Sequence, residues 1–314
     1  MIITITLNAA LDRTQRIEHP LQVGKLNRAV SSHLEPGGKG INVSRAIKAL
    51  GGSSIALGFS AGTNGRIMKD MLTAADIHHD FVDIAGQLRV NTQIIDAQGG
   101  HTEVNEPGNK LDDSDFLRLL DRMENYLDEG NIFVLSGSTP PEFPLKNYRK
   151  LCKTIKKHGC KLIIDAQGEL LQEALGCEPD FVKPNIFELA EAVGDKPSAD
   201  PEVVVHSARK MLDMGGAKAV CVSMGQEGAL LTAKDEPESL YVTTTPKIYD
   251  EGAVGTGDAM VGAIANAMHA GMKFDEVARY AVAMGRACAR LAGTEMASLK
   301  KVYEVYETTQ VYVL

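Results

Sequence analysis

Asp258 follows three loop-forming residues, Gly255, Thr256 and Gly257, in the stretch AVGTGDAMVGAIANAMHAG at residues 253–271. From Met260 onward, apolar residues recur at three- and four-residue spacings, which predicts a helix that begins beside this acid. Two roles are open to Asp258. It is a favoured residue for capping the first turn of a helix. Alternatively, the loop binds an anion, because N–H groups at a helix start are unpaired and glycines let a ligand approach the backbone.

A second glycine cluster, formed by Gly37, Gly38 and Gly40 around Lys39, precedes a helical pattern over residues 41–50. It is not the phosphate loop of the P-loop nucleotidases, since the pattern G-x-x-x-x-G-K-[ST] is absent. No G-x-G-x-x-G follows the first strand pattern either, so a dinucleotide-binding fold has little support. The chain therefore carries two glycine loops of another kind, each opening a helix.

The elements that must position these loops alternate between strand and helix patterns. Short apolar runs such as NIFVLSGS, KLIIDA and AVCVSM predict buried strands, and amphipathic runs such as YRKLCKTIKKHG predict helices. This alternation is typical of a parallel sheet covered on both faces. Six polar or glycine-rich loops are expected at the carboxyl edge of the sheet, where ligands bind: EPGGKGIN, SGSTPP, DAQGE, KPNIFE, SMGQEG and AVGTGD. Their convergence favours an anion site over a simple cap at Asp258.

Two segments, at about residues 12–35 and 88–106, are too polar at alternate positions to be central strands of that sheet. The second, LRVNTQIIDAQGGHTEVNEPG, contains the turn sequence DAQGG, which predicts a hairpin. We expect these segments to form a small antiparallel sheet that acts as a lid. No repeat or linker divides the chain, so residues 1–314 are expected to form one domain that carries this lid.

The composition excludes several classes of protein. A formal net charge of −8 argues against a nucleic-acid or anionic-membrane partner. No apolar run approaches the ~18 residues of a membrane span, and the first residues, MIITITLNAA, lack the basic region of an export signal. The five cysteines are scattered without a C-x-x-C pair, which predicts free thiols in a reducing cytoplasm.

The ordered motifs resemble those of the ribokinase-like, or PfkB, carbohydrate kinases over nearly the whole chain. PGGKGINVSRAIKALGG is similar to the first motif of that family and AVGTGDAMVGA to the second, with SGSTPP, KPNIFELAE and VSMGQEGALL in the family's order between them. The stretches TLNAALDRT, KLNR and LRVNT are similar to the branch that acts on phosphorylated ketohexoses. The resemblance implies a three-layer α/β/α core with a mainly parallel sheet and a small antiparallel lid.

The resemblance also implies ATP-dependent phosphorylation of a ketohexose phosphate with Mg²⁺. Asp258 is then the general base, and the N–H groups of Gly255, Thr256 and Gly257 hold the γ-phosphate. Candidates for the sugar site are Asp12, Lys25, Arg28, Gly38, Lys39, Asn42, Arg89, Asn91 and Ser138, and the four cations among them would bind the phosphate already on the sugar. Candidates for the nucleotide site are Lys183, Asn185, Ser223, Gly225 and Gly228, while Glu188 would bind the metal through water.

Fructose 1-phosphate is the favoured substrate, and tagatose 6-phosphate or fructose 6-phosphate are the alternatives within the same branch. A sugar-phosphate sensor on this fold would have no need of Asp258, and a nucleoside or vitamin kinase would have no need of the four cations. Exposed edge strands in a small lid sheet lead to one more expectation, a homodimer through the lid, because a lone small sheet is marginally stable in water.

Overall fold

The computed structural model describes residues 1–244, 255–291 and 294–314; Ala253 and Val254, which begin the second glycine loop, lie outside the described residues. The strands are β1 (Ile2–Thr6), β2 (Ala10–Ile17), β3 (Ala29–Gly37), β4 (Ile55–Ala61), β5 (His78–His79), β6 (Val82–Ile84), β7 (Arg89–Asp96), β8 (His101–Asn105), β9 (Ile132–Ser136), β10 (Lys161–Asp165), β11 (Phe181–Val182), β12 (Ala219–Ser223), β13 (Ala229–Ala233), β14 (Leu240–Thr244) and β15 (Thr309–Val313). The helices are α1 (Lys39–Ala49), α2 (Gly62–Ala74), α3 (Asp113–Glu124), α4 (Leu145–Lys157), α5 (Gly168–Leu175), α6 (Ile186–Val193), α7 (Pro201–Gly215), α8 (Thr256–His269), α9 (Phe274–Cys288) and α10 (Leu299–Glu307).

The main sheet has the strand order β15-β14-β13-β12-β11-β10-β9-β1-β4-β5, and β6 also pairs with β4. The strands from β4 to β12 across the centre run parallel, as expected from the alternation of strands and helices. The last three strands, β13, β14 and β15, are antiparallel. The reason is local: only the short turn at Gly225–Glu227 separates β12 from β13, and a parallel pair needs a much longer crossover.

Helices cover both faces of this sheet because its strands are apolar on both faces. Ile2 of β1 packs into one buried cluster with residues of α1, α8, α9 and α10. Ile3, which points the opposite way, packs into another cluster with residues of α3, α4, α5, α6 and α7. This arrangement is the three-layer α/β/α core that the sequence motifs imply.

The lid is a separate four-stranded sheet with the order β3-β2-β7-β8. The pairs β2–β3 and β7–β8 are antiparallel, as expected, and the two pairs join through a parallel pairing of β2 with β7. Leu11 on β2 and Leu34 on β3 pack near Met68 of α2, so the lid is anchored to the core at its base. The connection between β2 and β3 is exposed, with Val23 almost fully exposed at 94%.

Two further expectations can be compared with the described residues. None of the helices in these ranges combines the length and apolarity that a membrane crossing needs. The five cysteines, Cys152, Cys160, Cys177, Cys221 and Cys288, are all buried free thiols.

Candidate active site

A cavity of about 950 Å³ opens between the lid and the carboxyl edge of the parallel strands. Parallel strands end at the same edge of a sheet, so the loops after β1, β9, β10, β11 and β12 meet there. Most of the expected site residues line this cavity: Asp12, Gly38, Lys39, Asn42, Arg89, Asn91, Ser138, Lys183, Asn185, Glu188, Ser223, Gly255, Thr256, Gly257 and Asp258.

Asp258 lies in the first turn of α8, and the residue that caps this helix is Gly255, with a φ of 86° that favours glycine. Asp258 is 6% exposed, and Oδ2 of its carboxylate accepts a hydrogen bond of 2.8 Å from Nδ2 of Asn42. Burial, together with repulsion from Asp165, raises the pKa of Asp258 to about 7, although Lys39, Asn42 and Lys183 oppose the shift. A carboxylate with a pKa near neutrality is suited to general-base catalysis.

Asp165, at the end of β10, forms a buried ion cluster beside Asp258. Its Oδ2 lies 3.4 Å from Nζ of Lys39, and its Oδ1 lies 3.3 Å from Nζ of Lys183. Ser136 donates a further hydrogen bond of 2.9 Å. Burial disfavours the charged form of Asp165, but Lys183 and Lys39 outweigh it and hold the pKa of this carboxyl below its usual range.

Lys39, which the sequence-based expectation assigned to the phosphate already on the sugar, lines the cavity. Its ammonium group lies against Asp165 and also acts on the charge of Asp258. Asp165 was not among the residues expected in the site. The signal that could have identified it is its place in DAQGE, one of the six loops expected at the carboxyl edge of the sheet.

The glycines of the first loop are required by close packing around β1 and β2. A Cβ atom on Gly38 would lie 2.7 Å from Cγ2 of Thr6, and one on Gly40 would lie 2.4 Å from Oγ1 of Thr6. A Cβ atom on Gly37 would lie 2.3 Å from the carboxyl carbon of Asp12. The absence of side chains at these glycines therefore lets the loop pack closely against the end of β1, and it leaves space for the Asp12 carboxylate in the cavity wall.

Asp12 and Asn91 form the lid side of the cavity. Nδ2 of Asn91 donates a 2.8 Å hydrogen bond to Oδ1 of Asp12, and burial raises the pKa of Asp12 despite this bond. The other polar atom of that amide, Oδ1 of Asn91, is buried without a partner among the described residues. A buried acceptor without a partner is costly, so this atom is available for a ligand hydroxyl group.

Arg89 lines the cavity from the start of β7 and also ties the lid to the core. Its guanidinium group donates to three backbone carbonyl oxygens, those of Asn8 at 2.9 Å, Glu106 at 3.0 Å and Ala9 at 3.4 Å. An arginine has five N–H donors, so two remain for a ligand. Burial lowers the pKa of Arg89, against the attraction of Asp12 and Glu106.

Two expected sugar-site residues, Lys25 and Arg28, lie outside this cavity. Both are exposed in the connection between β2 and β3, and neither lines the cavity of its own chain. Among the described residues, the cations that line the cavity are therefore Lys39, Arg89 and Lys183.

A smaller pocket of about 100 Å³ adjoins the large cavity at the start of α8. Ser223, Gly225 and Gly228 line it as expected, together with Thr256 and Gly257 of the second glycine loop. Sequence reasoning missed the other side of this pocket, formed by Met260, Val282, Gly285 and Arg286, because α8 and α9 show only ordinary core patterns there. A narrow, largely apolar slot beside a phosphate loop is suited to a planar base.

Asn185 and Glu188 form a capping box at the start of α6. The side chain of Asn185 accepts from the backbone N–H of Glu188 at 2.9 Å, and Oε2 of Glu188 accepts from the backbone N–H of Asn185 at 2.8 Å. Within the described ranges, Oε1 of Glu188 has no hydrogen-bond partner, and the residue lines the cavity. No cluster of three or more metal-ligating side chains occurs in the described residues. One such carboxylate fits Mg²⁺, which keeps most of its waters and binds nucleotide phosphates.

The chain is similar to several characterised proteins. Residues 3–301 match the pfkB family carbohydrate kinase model. The chain is 35% identical to the 1-phosphofructokinase of Bacillus subtilis over 92% of both sequences, and 32% identical to the ATP-dependent 6-phosphofructokinase isozyme 2 of Escherichia coli over 97% of both. Its structure superposes on the tetrameric inhibited form of phosphofructokinase-2 from Escherichia coli with a TM-score of 0.90, at 30% identity over 98% of each chain.

Proposed function

The chain belongs to the pfkB family of carbohydrate kinases, and we propose that it transfers the γ-phosphate of ATP to fructose 1-phosphate, giving fructose 1,6-bisphosphate. The observation that carries this proposal is the position of Asp258. A buried carboxylate, with a pKa raised to about 7, stands between the lid-covered cavity and a glycine loop at a helix N-terminus. In this proposal residues 1–314 act as one kinase domain with its lid.

In the proposed reaction, the acceptor hydroxyl group lies against Asp258 and gives its proton to that carboxylate as the oxygen attacks the γ-phosphate. Asn42 orients the carboxylate through its 2.8 Å hydrogen bond. On the lid side, Asp12 accepts hydrogen bonds from sugar hydroxyl groups, and Oδ1 of Asn91 accepts another. Gly38 and Ser138 border the same sugar pocket.

Negative charge on the transferred phosphate needs compensating positive groups. The backbone N–H groups of Gly255, Thr256 and Gly257 lie at the start of α8, where the helix dipole favours an anion. A Cβ atom on Gly257 would lie 3.5 Å from Nζ of Lys183, so this lysine lies beside the loop. We assign Lys183 and Lys39 to this phosphate. When bound, Mg²⁺ would neutralise phosphate oxygens, with Glu188 and Asn185 holding it in place.

The nucleotide would extend from this loop into the adjoining pocket. Ser223, Gly225 and Gly228 border that pocket on one side, and Met260 and Val282 supply apolar surface on the other. ATP is the donor that the family implies.

Phosphate recognition on the sugar would fall to Arg89, which keeps two N–H donors beyond its three backbone contacts. This favours a phosphorylated sugar over a free one. Fructose 6-phosphate is the second candidate, because the chain is 32% identical to a 6-phosphofructokinase over 97% of its length. Either ketose phosphate yields the same bisphosphate, since each presents its free primary hydroxyl group at the end opposite the phosphate.

We also propose that the chain forms a homodimer through the lid. β3 and β8 are edge strands, and the lid exposes Val23 at 94%, Leu26 at 75%, Val30 at 60% and Val104 at 59%. In such a dimer Lys25 and Arg28 would be available to a site other than that of their own chain. The buried free thiols support a cytoplasmic location.

The function is tested by following ADP release with fructose 1-phosphate and ATP, first with the wild-type protein and then with Asp258→Asn. The variant keeps the size of the side chain, so ATP affinity should be close to wild type while kcat falls by about 10²–10⁴. If the wild-type protein released ADP no faster with fructose 1-phosphate than without it, the proposed kinase activity would be refuted. A variant that kept more than about a third of wild-type kcat would make Asp258 a structural residue.

A further inference from the structure

Arg45 on α1 connects three parts of the molecule with one guanidinium group. Its Nη2 donates a 2.6 Å hydrogen bond to Oε1 of Glu35, near the base of lid strand β3. Its Nη1 donates to Oγ1 of Thr294 at 2.9 Å and to Oδ1 of Asn42 at 3.3 Å. Thr294 in turn donates to Oε2 of Glu35 at 3.0 Å. Both ionic side chains are largely buried, with 16% of Arg45 and 12% of Glu35 exposed.

The contact with Asn42 has a consequence for the orientation of its amide. Guanidinium nitrogens can only donate, so Arg45 must face the carbonyl oxygen of that amide. The NH₂ group of Asn42 is thereby turned to Asp258, whose Oδ2 accepts from it at 2.8 Å. With the amide reversed, its oxygen would face the carboxylate oxygen, and the bond to the ionised base would be lost.

Thr294 links the same cluster to the second glycine loop. It is 2% exposed, and a Cβ atom added to Gly255 would lie 3.6 Å from its Cγ2 atom. Gly255 is the cap of α8, the helix that carries Asp258. One cluster at the base of the lid therefore contacts both the partner of the base and the start of its helix.

We propose that Arg45, held by Glu35 and Thr294, is a positioning residue that fixes the amide of Asn42 so that Asp258 is oriented and kept ionised for proton abstraction. The residue touches neither substrate in this scheme. The proposal rests on the proposed kinase function, and specifically on Asp258 as its base. It links the lid to the catalytic carboxylate, since Glu35 belongs to a lid strand.

The test is the pH dependence of kcat/KM for fructose 1-phosphate in Arg45→Gln and in Glu35→Gln. The hydrogen bond from Asn42 lowers the pKa of Asp258, so its loss should move the acidic limb of the profile upward by about one pH unit. The other charged groups that act on Asp258 are Asp165 of β10, Lys39 of α1 and Lys183 after β11, and none of them changes in these variants. The plateau at high pH should stay within about threefold of wild type. Glu35→Gln preserves side-chain size and provides the result if Arg45→Gln does not fold.

Lys48→Gln is the matched control, because Lys48 lies on the same helix and pairs with the exposed Asp76 on the surface. Its profile should coincide with that of the wild type. In an Asn42→Ala background, Arg45→Gln should cause no further shift, because the residue through which Arg45 acts is gone. An unchanged acidic limb in both Arg45→Gln and Glu35→Gln would overturn the proposal, as would an equal shift in the Asn42→Ala background. Full activity in Asp258→Asn would instead overturn the proposed base itself.

Discussion

Replacing Asp165 by asparagine removes one negative charge from the buried ion cluster and keeps the shape of the side chain. Two lysine ammonium groups, those of Lys39 at 3.4 Å and Lys183 at 3.3 Å, then lose their common counterion. Removing one member of a buried ion pair typically costs about 3–5 kcal/mol of unfolding free energy. An unfolding entropy of about 2.1 cal/mol/K per residue gives roughly 0.66 kcal/mol/K for this chain, so Tm should fall by about 5–8 °C.

The same change should alter the pH dependence of activity in a direction set by charge. Asp165 repels the charged form of Asp258 and so helps raise the pKa of Asp258 to about 7. Without Asp165, and with two lysines left unpaired nearby, that pKa should fall by at least about one unit. Activity requires the ionised base, so the acidic limb of kcat/KM should move to lower pH. At about pH 6, roughly a tenth of wild-type molecules but about half of the variant molecules would carry the ionised base.

The assay combines thermal unfolding with a pH profile of ADP release, each normalised to its own plateau. Asp180→Asn is a matched control, because Asp180 also binds two lysines, Lys156 and Lys218, but lies away from the cavity. It should lower Tm and leave the pH profile unchanged. If Asp165→Asn lowered Tm while the acidic limb stayed in place or moved upward, the explanation given for the raised pKa of Asp258 would be wrong.

Three further predictions concern the cavity walls and the lid. Gly37→Ala should raise KM for the sugar phosphate by about tenfold, because the new Cβ atom would lie 2.3 Å from the carboxyl carbon of Asp12; the effect on KM for ATP should be smaller. Steady-state kinetics check this, with Gly176→Ala as the control, since the atom nearest to its new Cβ is 3.6 Å away. Arg89→Ala should lower kcat/KM for fructose 1-phosphate by about ten- to a few-hundredfold more than for unphosphorylated fructose, which never contacts the guanidinium group through a phosphate. An equal loss on both sugars would leave Arg89 only its contacts with backbone carbonyl groups. Light scattering should give the mass of a dimer, and Leu26→Asp in the lid should weaken that dimer; a monomer at every protein concentration, with and without ligands, would disprove the lid interface.

Much of the architecture could be predicted because the central strands are short apolar runs bounded by glycine-rich loops. Because parallel strands all end at the same edge of a sheet, the loops that follow them were expected to lie together. The antiparallel arrangement of β13, β14 and β15 was not predicted. The short connection between β12 and β13 is the signal that could have indicated it, because a parallel pair needs a longer crossover.

The residues of the candidate site could also be predicted from the sequence only in part. Asp258, Gly38 and Lys39 of the first glycine loop, and Gly255, Thr256 and Gly257 of the second line one cavity. They could be predicted because glycine loops and helix starts have strong local signatures. Asp165 has no such signature, and its importance comes from Lys39 and Lys183, which belong to other elements of the fold. The placement of Lys25 and Arg28 could not be read from the sequence either, since both are ordinary polar residues in a long connection between lid strands.

The central claim, phosphorylation of a ketose phosphate at this cavity, is tested most directly by one comparison of acceptors. ADP release should be measured with fructose 1-phosphate, fructose 6-phosphate, tagatose 6-phosphate and unphosphorylated fructose at equal ATP. We expect the highest kcat/KM with fructose 1-phosphate, and a value lower by at least about tenfold with fructose, which lacks the charge-assisted contact to Arg89. Equal kcat/KM values for fructose and for all three phosphates, or no ADP release above the rate without sugar, would contradict the account.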